Sequence, residues 1–133
     1  MAPRTPKFEY SIICDDIREE KGNKLTLVGM YQRDIIVPKF PFSFPKLCFV
    51  LSYKGIKGGD SFSMQLINPS GKQLGPTING VAQKGIKRSA RFVALAMFSP
   101  LVVNEAGLHK MLVTFNDTDK SRKEIGFNIN QRD

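Results

Sequence analysis

Four groups of side chains in this sequence could do chemistry, and their spacing limits what that chemistry can be. Asp15, Asp16, Glu19 and Glu20 are the densest set of carboxylates. Hard oxygen donors that converge on a loop hold Ca²⁺ or Mg²⁺, and Asp117 with Asp119 offers a second acidic loop that could join Asp15 and Asp16. No EF-hand spacing supports this, and aspartates at turns and helix starts are equally explained by capping. Lys54, Lys57, Lys84, Lys87, Arg88 and Arg91 lie on two glycine-containing stretches. Brought to one end of a fold, they would track a phosphate backbone. Phe40, Phe42 and Phe44 alternate with other residues in a proline-rich stretch, so they can share one face as anchors for a protein partner or cap a core.

The remaining candidates are two cysteines and one histidine. Cys14 and Cys48 each sit in an apolar, strand-like run, where free cysteine is ordinarily a buried, reduced core thiol. A catalytic thiolate needs a base, and His109 is far away in the chain, in the middle of another strand-like run. There is no HExxH, P-loop, GxSxG or CxxC pattern. The residues therefore predict a protein that is not an enzyme and that needs no cofactor.

The elements that must position these groups are strands. Phe8–Cys14, Lys24–Tyr31, Ile35–Val37, Lys46–Tyr53, Ser61–Ile67, Arg91–Phe98, Leu108–Phe115 and Glu124–Asn130 show period-two or continuous apolar patterning. Lys46–Tyr53 is almost unbroken in its apolarity and reads as a central strand. Phe62, Met64 and Leu66 are expected inward, as are Ile125, Phe127 and Ile129. Asp16 and Glu19 stand at capping-box spacing before Gly22-Asn23, which predicts a short helical turn, or an acidic loop, near residues 15–22. Pro38, Pro41 and Pro45 exclude helix and any central strand, so residues 38–45 form an extended crossover. Asn68-Pro69-Ser70-Gly71 is a turn. Residues 72–87 read as a long loop with an edge strand near 77–82. Seven or eight strands at roughly ten-residue spacing predict an antiparallel β-sandwich over residues 7–131, behind a loosely held N-terminus of residues 1–6.

The chain has 133 residues and a net charge of +8, enough length for one domain with a real core. Residues 21–91 carry twelve basic side chains against Asp34 and Asp60 alone, so the excess charge sits in the middle of the sequence. Such asymmetry suits an anionic partner. No apolar run approaches the roughly 20 residues of a membrane helix, and Met1–Pro6 lacks a signal-peptide core, so a cytoplasmic protein without a membrane role is expected.

Ile13-Cys14-Asp15-Asp16-Ile17-Arg18-Glu19-Glu20, the Gly22 turn, Lys24-Leu25-Thr26-Leu27-Val28-Gly29-Met30-Tyr31, Pro38, Phe40-Pro41 and Pro45-Lys46-Leu47 together resemble a family of small bacterial and phage-encoded proteins that share a domain of unknown function. The resemblance is strongest over residues 8–53 and continues more loosely around Gly107 and Phe127. It implies a single all-β domain and, for a phage or mobile-element protein, action on a host macromolecule. It brings no activity, ligand or catalytic residue with it. The expected function is non-enzymatic protein binding, either to another protein or to a second copy of the chain. The alternative is nucleic-acid binding through the basic stretches of residues 54–91.

Overall fold

The computed structural model describes residues 6–86 and 90–133, and of Asp119 only the backbone. Residues 1–5, Lys87 and Arg88 lie outside the described residues, and with them most of the expected N-terminal tail. The strands are β1 (Lys7–Glu20), β2 (Lys24–Met30), β3 (Ile35–Val37), β4 (Phe42–Phe44), β5 (Leu47–Lys54), β6 (Ser61–Ile67), β7 (Gln73–Val81), β8 (Phe92–Phe98), β9 (Leu101–Val103), β10 (Gly107–Phe115) and β11 (Lys123–Gln131), with a 3₁₀ turn at Asp119–Ser121. They form a four-stranded sheet in the order β2-β1-β5-β8, a five-stranded sheet β3-β11-β10-β6-β7 and a two-stranded ribbon β4-β9. All pairs are antiparallel except β3 with β11.

Period-two burial builds the interior. Leu47, Phe49, Leu51 and Tyr53 of β5 face Met64 and Leu66 of β6, Met111, Val113 and Phe115 of β10, and Ile129 of β11 in one buried cluster. Aromatic rings tie the two sheets together: Tyr53 to Phe115 at 4.8 Å, Phe49 to Phe127 at 5.5 Å, and Phe62 to Phe92 at 5.6 Å between centroids. Edge-to-face pairs of this kind add specificity to apolar burial. The predicted inward sets on β6 and β11 hold.

Three expectations are corrected. The acidic stretch forms no helical turn. β1 continues as strand through Glu20, with Ile17 opposite Leu27 and Glu19 opposite Leu25 on β2. Gly22 and Asn23, at φ of 85° and 57°, turn a hairpin instead of ending a helix, because the same left-handed residues serve both purposes. Residues 72–87 are not mainly loop: Gln73–Val81 is a full strand at the edge of the five-stranded sheet. An edge tolerates Pro76, which cannot donate to a ladder. Among the described residues there are eleven strands, since the crossover adds β4, β9 adds its partner and β7 is a full strand.

Candidate functional site

Side chains alternate along a strand, so each residue of β5 that faces the core leaves its neighbours facing out. On the four-stranded sheet the outward neighbours are apolar as well. Three rungs cross it: Met30–Cys14–Cys48–Met97, Ile12–Val50–Leu95, and Tyr10–Ser52–Val93. Cys14, Cys48, Val50 and Ser52 are buried beneath their longer neighbours and lie outside the main core cluster. Met97, Met30 and Tyr10 remain 54%, 51% and 41% exposed.

The outer face of the other sheet shows the ordinary pattern for comparison. Ser63, Gln65, Asn79, Lys110, Thr114, Glu124 and Asn128 lie there, interspersed with Ile67, Leu108, Leu112 and Val81, so apolar and polar side chains alternate from rung to rung. Gln65 donates to Gln73 and Thr77, and Lys110 pairs with Glu124 at 3.7 Å. A solvated sheet face is polar; a contiguous apolar one marks a contact surface.

Ion pairs close both ends of the apolar face. At one end Glu9 accepts from Arg91 Nε at 2.9 Å and from the Ser52 hydroxyl at 2.8 Å, with Lys54 Nζ at 3.8 Å. Its carboxyl is held below its ordinary pKa, first by the Arg91 hydrogen bond and then by Ser52. The Arg91 guanidinium also lies 5.9 Å from the centre of the Tyr10 ring. At the other end Lys46 Nζ donates to Asp16 Oδ1 at 3.0 Å and lowers that carboxyl too.

The two thiols behave as buried groups. Burial raises the pKa of Cys14, and raises that of Cys48 to about 11 with the Cys14 charge as the next cause. The expectation of reduced, buried thiols is met in burial and corrected in place. They sit under the outer face, opposite each other on β1 and β5, and not in the core between the sheets.

The other predicted residues fall elsewhere. Asp15 turns to the opposite side of β1 from Asp16, where its Oδ1 accepts a 2.7 Å hydrogen bond from the Tyr31 hydroxyl. Asp117 lies in the turn after β10, near the Phe62–Phe115 rung, while Asp15 follows the Cys14–Cys48 rung at the far end of the sandwich. Those carboxylates are not brought together, and among the described residues no three His, Cys, Asp or Glu side chains form a metal cluster. Phe44 is buried and Phe40 and Phe42 pack against the core. Phe42 and Phe44 meet edge to face at 4.8 Å and line a recess of about 340 Å³ together with Asp15, Tyr31 and Lys46. As protein anchors they are therefore mostly spent on the core.

The two basic loops do meet. Gly59 N–H donates to the Ala82 carbonyl at 2.9 Å and Ala82 N–H to the Asp60 carbonyl at 2.8 Å. The buried Asp60 carboxylate braces the corner, accepting from Lys57 N–H at 3.0 Å and from Asn116 Nδ2 at 3.2 Å. The Lys57–Gly58 backbone thereby runs against that of Gln83–Lys84, while Lys54 and Arg91 are engaged by Glu9. His109 is fully buried on the inner face, stacked on Phe127 at 5.7 Å.

The residues that sequence patterning did not single out are those of the outward apolar rungs. Their signal was present in the unbroken apolar run Leu47–Tyr53: a strand apolar on both sides needs a cover on both sides.

Fold and surface define a two-layer all-β sandwich whose four-stranded sheet has the more continuously apolar outer face. The model of a family of unknown function, DUF6941, matches residues 9–128, and the chain belongs to that family. No curated protein matches it.

Proposed function

We propose that the chain is a non-enzymatic protein-binding module that docks through the outer face of its four-stranded sheet, and that the protein it docks there is a second copy of itself. The observation that carries this is the set of outward apolar residues in three adjacent rungs, broken by Ser52, against an outer face on the other sheet where polar and apolar residues are interspersed. Two arguments favour a second copy. Glu9 is already paired with Arg91 and Lys54, and Asp16 with Lys46, so the rim asks for no strongly charged partner. Four strands about 4.8 Å apart and about seven residues long give a footprint of roughly 450 Å². Two such corrugated faces together remove on the order of 1,000 Å² from water, the lower bound for a specific interface. Stacked sheets pack about 10 Å apart with interdigitating side chains, which Met30, Met97 and Tyr10 are long enough to supply.

Sedimentation equilibrium across a concentration series tests this. The expected result is a reversible dimer, weakened at least tenfold by Val93→Lys with Met97→Lys and unaffected by Ser63→Lys with Gln65→Lys on the other sheet's outer face. A chain that stays monomeric at several hundred micromolar, or a dimer indifferent to the Val93 and Met97 changes, refutes it.

A second reading is supported by the junction of the two basic loops, where the Lys57–Gly58 backbone runs against Gln83–Lys84, an arrangement that suits an anionic partner. Fluorescence anisotropy with labelled oligonucleotides should then show affinity falling steeply with salt, with a log–log slope shallower by about 2 in Lys57→Glu with Lys84→Glu. Absence of binding at low salt rules that reading out.

A further inference from the structure

Residues directly opposite each other on antiparallel strands carry their side chains on one face, with Cβ atoms about 4.5–5.5 Å apart. The chain has two cysteines and five methionines. Both cysteines and two of the methionines fall in one rung: Met30 opposite Cys14, Cys14 opposite Cys48, and Cys48 opposite Met97. All four point outward, since Leu47 and Phe49 on either side of Cys48 belong to the core.

The thiols also converge along the strand. Cys14 Sγ lies 3.4 Å from the Asp16 carbonyl and Cys48 Sγ 3.8 Å from the Asp15 carbonyl, so both lean over the same two residues of β1. The thioethers flank them at the two ends of the rung, half in solvent and able to swing over the pair. Two sulfurs that share one metal at about 2.3 Å each stand at most about 4.6 Å apart, a span that opposed strand residues provide.

Donor chemistry selects the ion. Thioether sulfur does not serve Ca²⁺ or Mg²⁺, whereas a thiolate and thioether set is the preference of Cu(I). The nearest carboxylate on this face, Asp16, is occupied by Lys46. We propose that Met30, Cys14, Cys48 and Met97 form a binding site for Cu(I), a soft monovalent cation, on the outer face of the four-stranded sheet. Loading forms two copper–thiolate bonds and releases both thiol protons to the buffer, with no change in copper oxidation state. The centre then carries one negative charge. Lys46, whose charge already acts on Cys48, is placed to offset it. Because loading releases two thiol protons, affinity must fall about 100-fold per pH unit of acidification below the ordinary thiol range. The site stands apart from the self-association reading, since loading is measured at concentrations where the chain is dilute.

The test is an anaerobic titration of the reduced full chain with Cu(I) supplied as its bicinchoninate complex. One equivalent should transfer to the protein, with a new ultraviolet thiolate-to-copper band and only sulfur neighbours in X-ray absorption. Cys14→Ala should weaken binding at least 100-fold. Met30→Leu with Met97→Leu changes only half-exposed positions, so it should leave the metal-free melting curve intact and weaken binding about tenfold. Failure to compete with the chelator, equal affinity in Cys14→Ala or in the methionine double variant, or tighter binding of Zn²⁺ than of Cu(I) would each overturn the assignment.

Discussion

Lowering the pH from about 7.5 to 5.5 should destabilise this protein through one residue. His109 is fully buried, and its Nδ1 lies 3.0 Å from the Gly107 carbonyl. A carbonyl only accepts, so Nδ1 carries the proton of the neutral ring. Nε2 is then the bare nitrogen, buried without a partner among the described residues. Protonation would place a charge there unsolvated, and burial accordingly pushes the pKa below its ordinary 6.5, against the smaller opposing pull of the Gly107 hydrogen bond and Glu105. The unfolded chain takes up a proton near 6.5 that the folded chain refuses. The stabilisation is therefore present above pH 6.5 and is lost as pH falls through the folded value. Between those two values the slope approaches one proton, about 1.4 kcal/mol per pH unit. For a domain of this size that is a fall in melting temperature of about 3–5 °C per kcal/mol. Glu9, Asp16 and Glu105 are all held below their ordinary carboxylate values, by Arg91, Lys46 and Ser70 respectively. Their contributions disappear only as pH drops below about 4.5, outside this window. Urea melts at pH 7.5, 6.5 and 5.5 should show the loss in the wild type and a flat profile in His109→Leu. An equal loss in His109→Leu would refute the argument, as would greater stability at pH 5.5.

Other positions give sharp expectations. The Phe62 ring lies over Gly80, its cross-strand partner, so that a Cβ there would stand 2.8 Å from Cε1 and 3.0 Å from Cε2. Gly80→Ala should cost about 1–3 kcal/mol in a denaturant melt, and most of that cost should vanish in a Phe62→Leu background. Asp60→Ala strands the Lys57 amide and the Asn116 side chain. A loss of about 1–3 kcal/mol is expected, with faster hydrogen exchange at Lys57 and Ala82 while β11 stays protected. The Tyr53 hydroxyl is buried with no partner among the described residues, and burial pushes its pKa up to about 12. Tyr53→Phe should therefore leave thermal stability unchanged or raise it, and a loss above about 1 kcal/mol would show an unrecognised hydrogen bond.

Much of the fold was legible because strand periodicity survives in the folded chain. Phe62, Met64 and Leu66, and Ile125, Phe127 and Ile129, point inward as their alternation requires. The acidic hairpin was not legible, because Gly22 and Asn23 signal a left-handed turn without saying whether a helix or a strand precedes it. Only the pairing of Ile17 with Leu27 and Glu19 with Leu25 decides, and that is a tertiary preference outweighing a local one. β7 was obscured by Gly75 and Pro76, which weaken a central strand but not an edge. The apolar face was half legible. The continuous apolarity of Leu47–Tyr53 marked a central strand, but which cysteines and methionines meet across it depends on strand order, which a single sequence does not encode locally.

That strand order also separates what the fold requires from what it does not. β5 lies between β1 and β8, and its inward side chains alone seal the core against β6, β10 and β11. Ile12, Val50, Leu95 and Met97 contribute nothing to that seal. Had two layers been the whole design, polar residues such as Ser63, Gln65 and Asn79 on the other sheet would serve at these positions and would improve solubility. A sheet face of this kind in a monomer exposes apolar area, and the net charge of +8 opposes indiscriminate association. Charge so placed opposes collapse without covering the face. On the proposed reading the cover is a second copy of the chain, and the charge pairs at both ends set its edges. A partner sheet would lie flat across all three rungs, whereas a soft metal would engage only the sulfur rung. Val93→Lys therefore tests the first without touching the second, and Met30→Leu tests the second while leaving the face apolar.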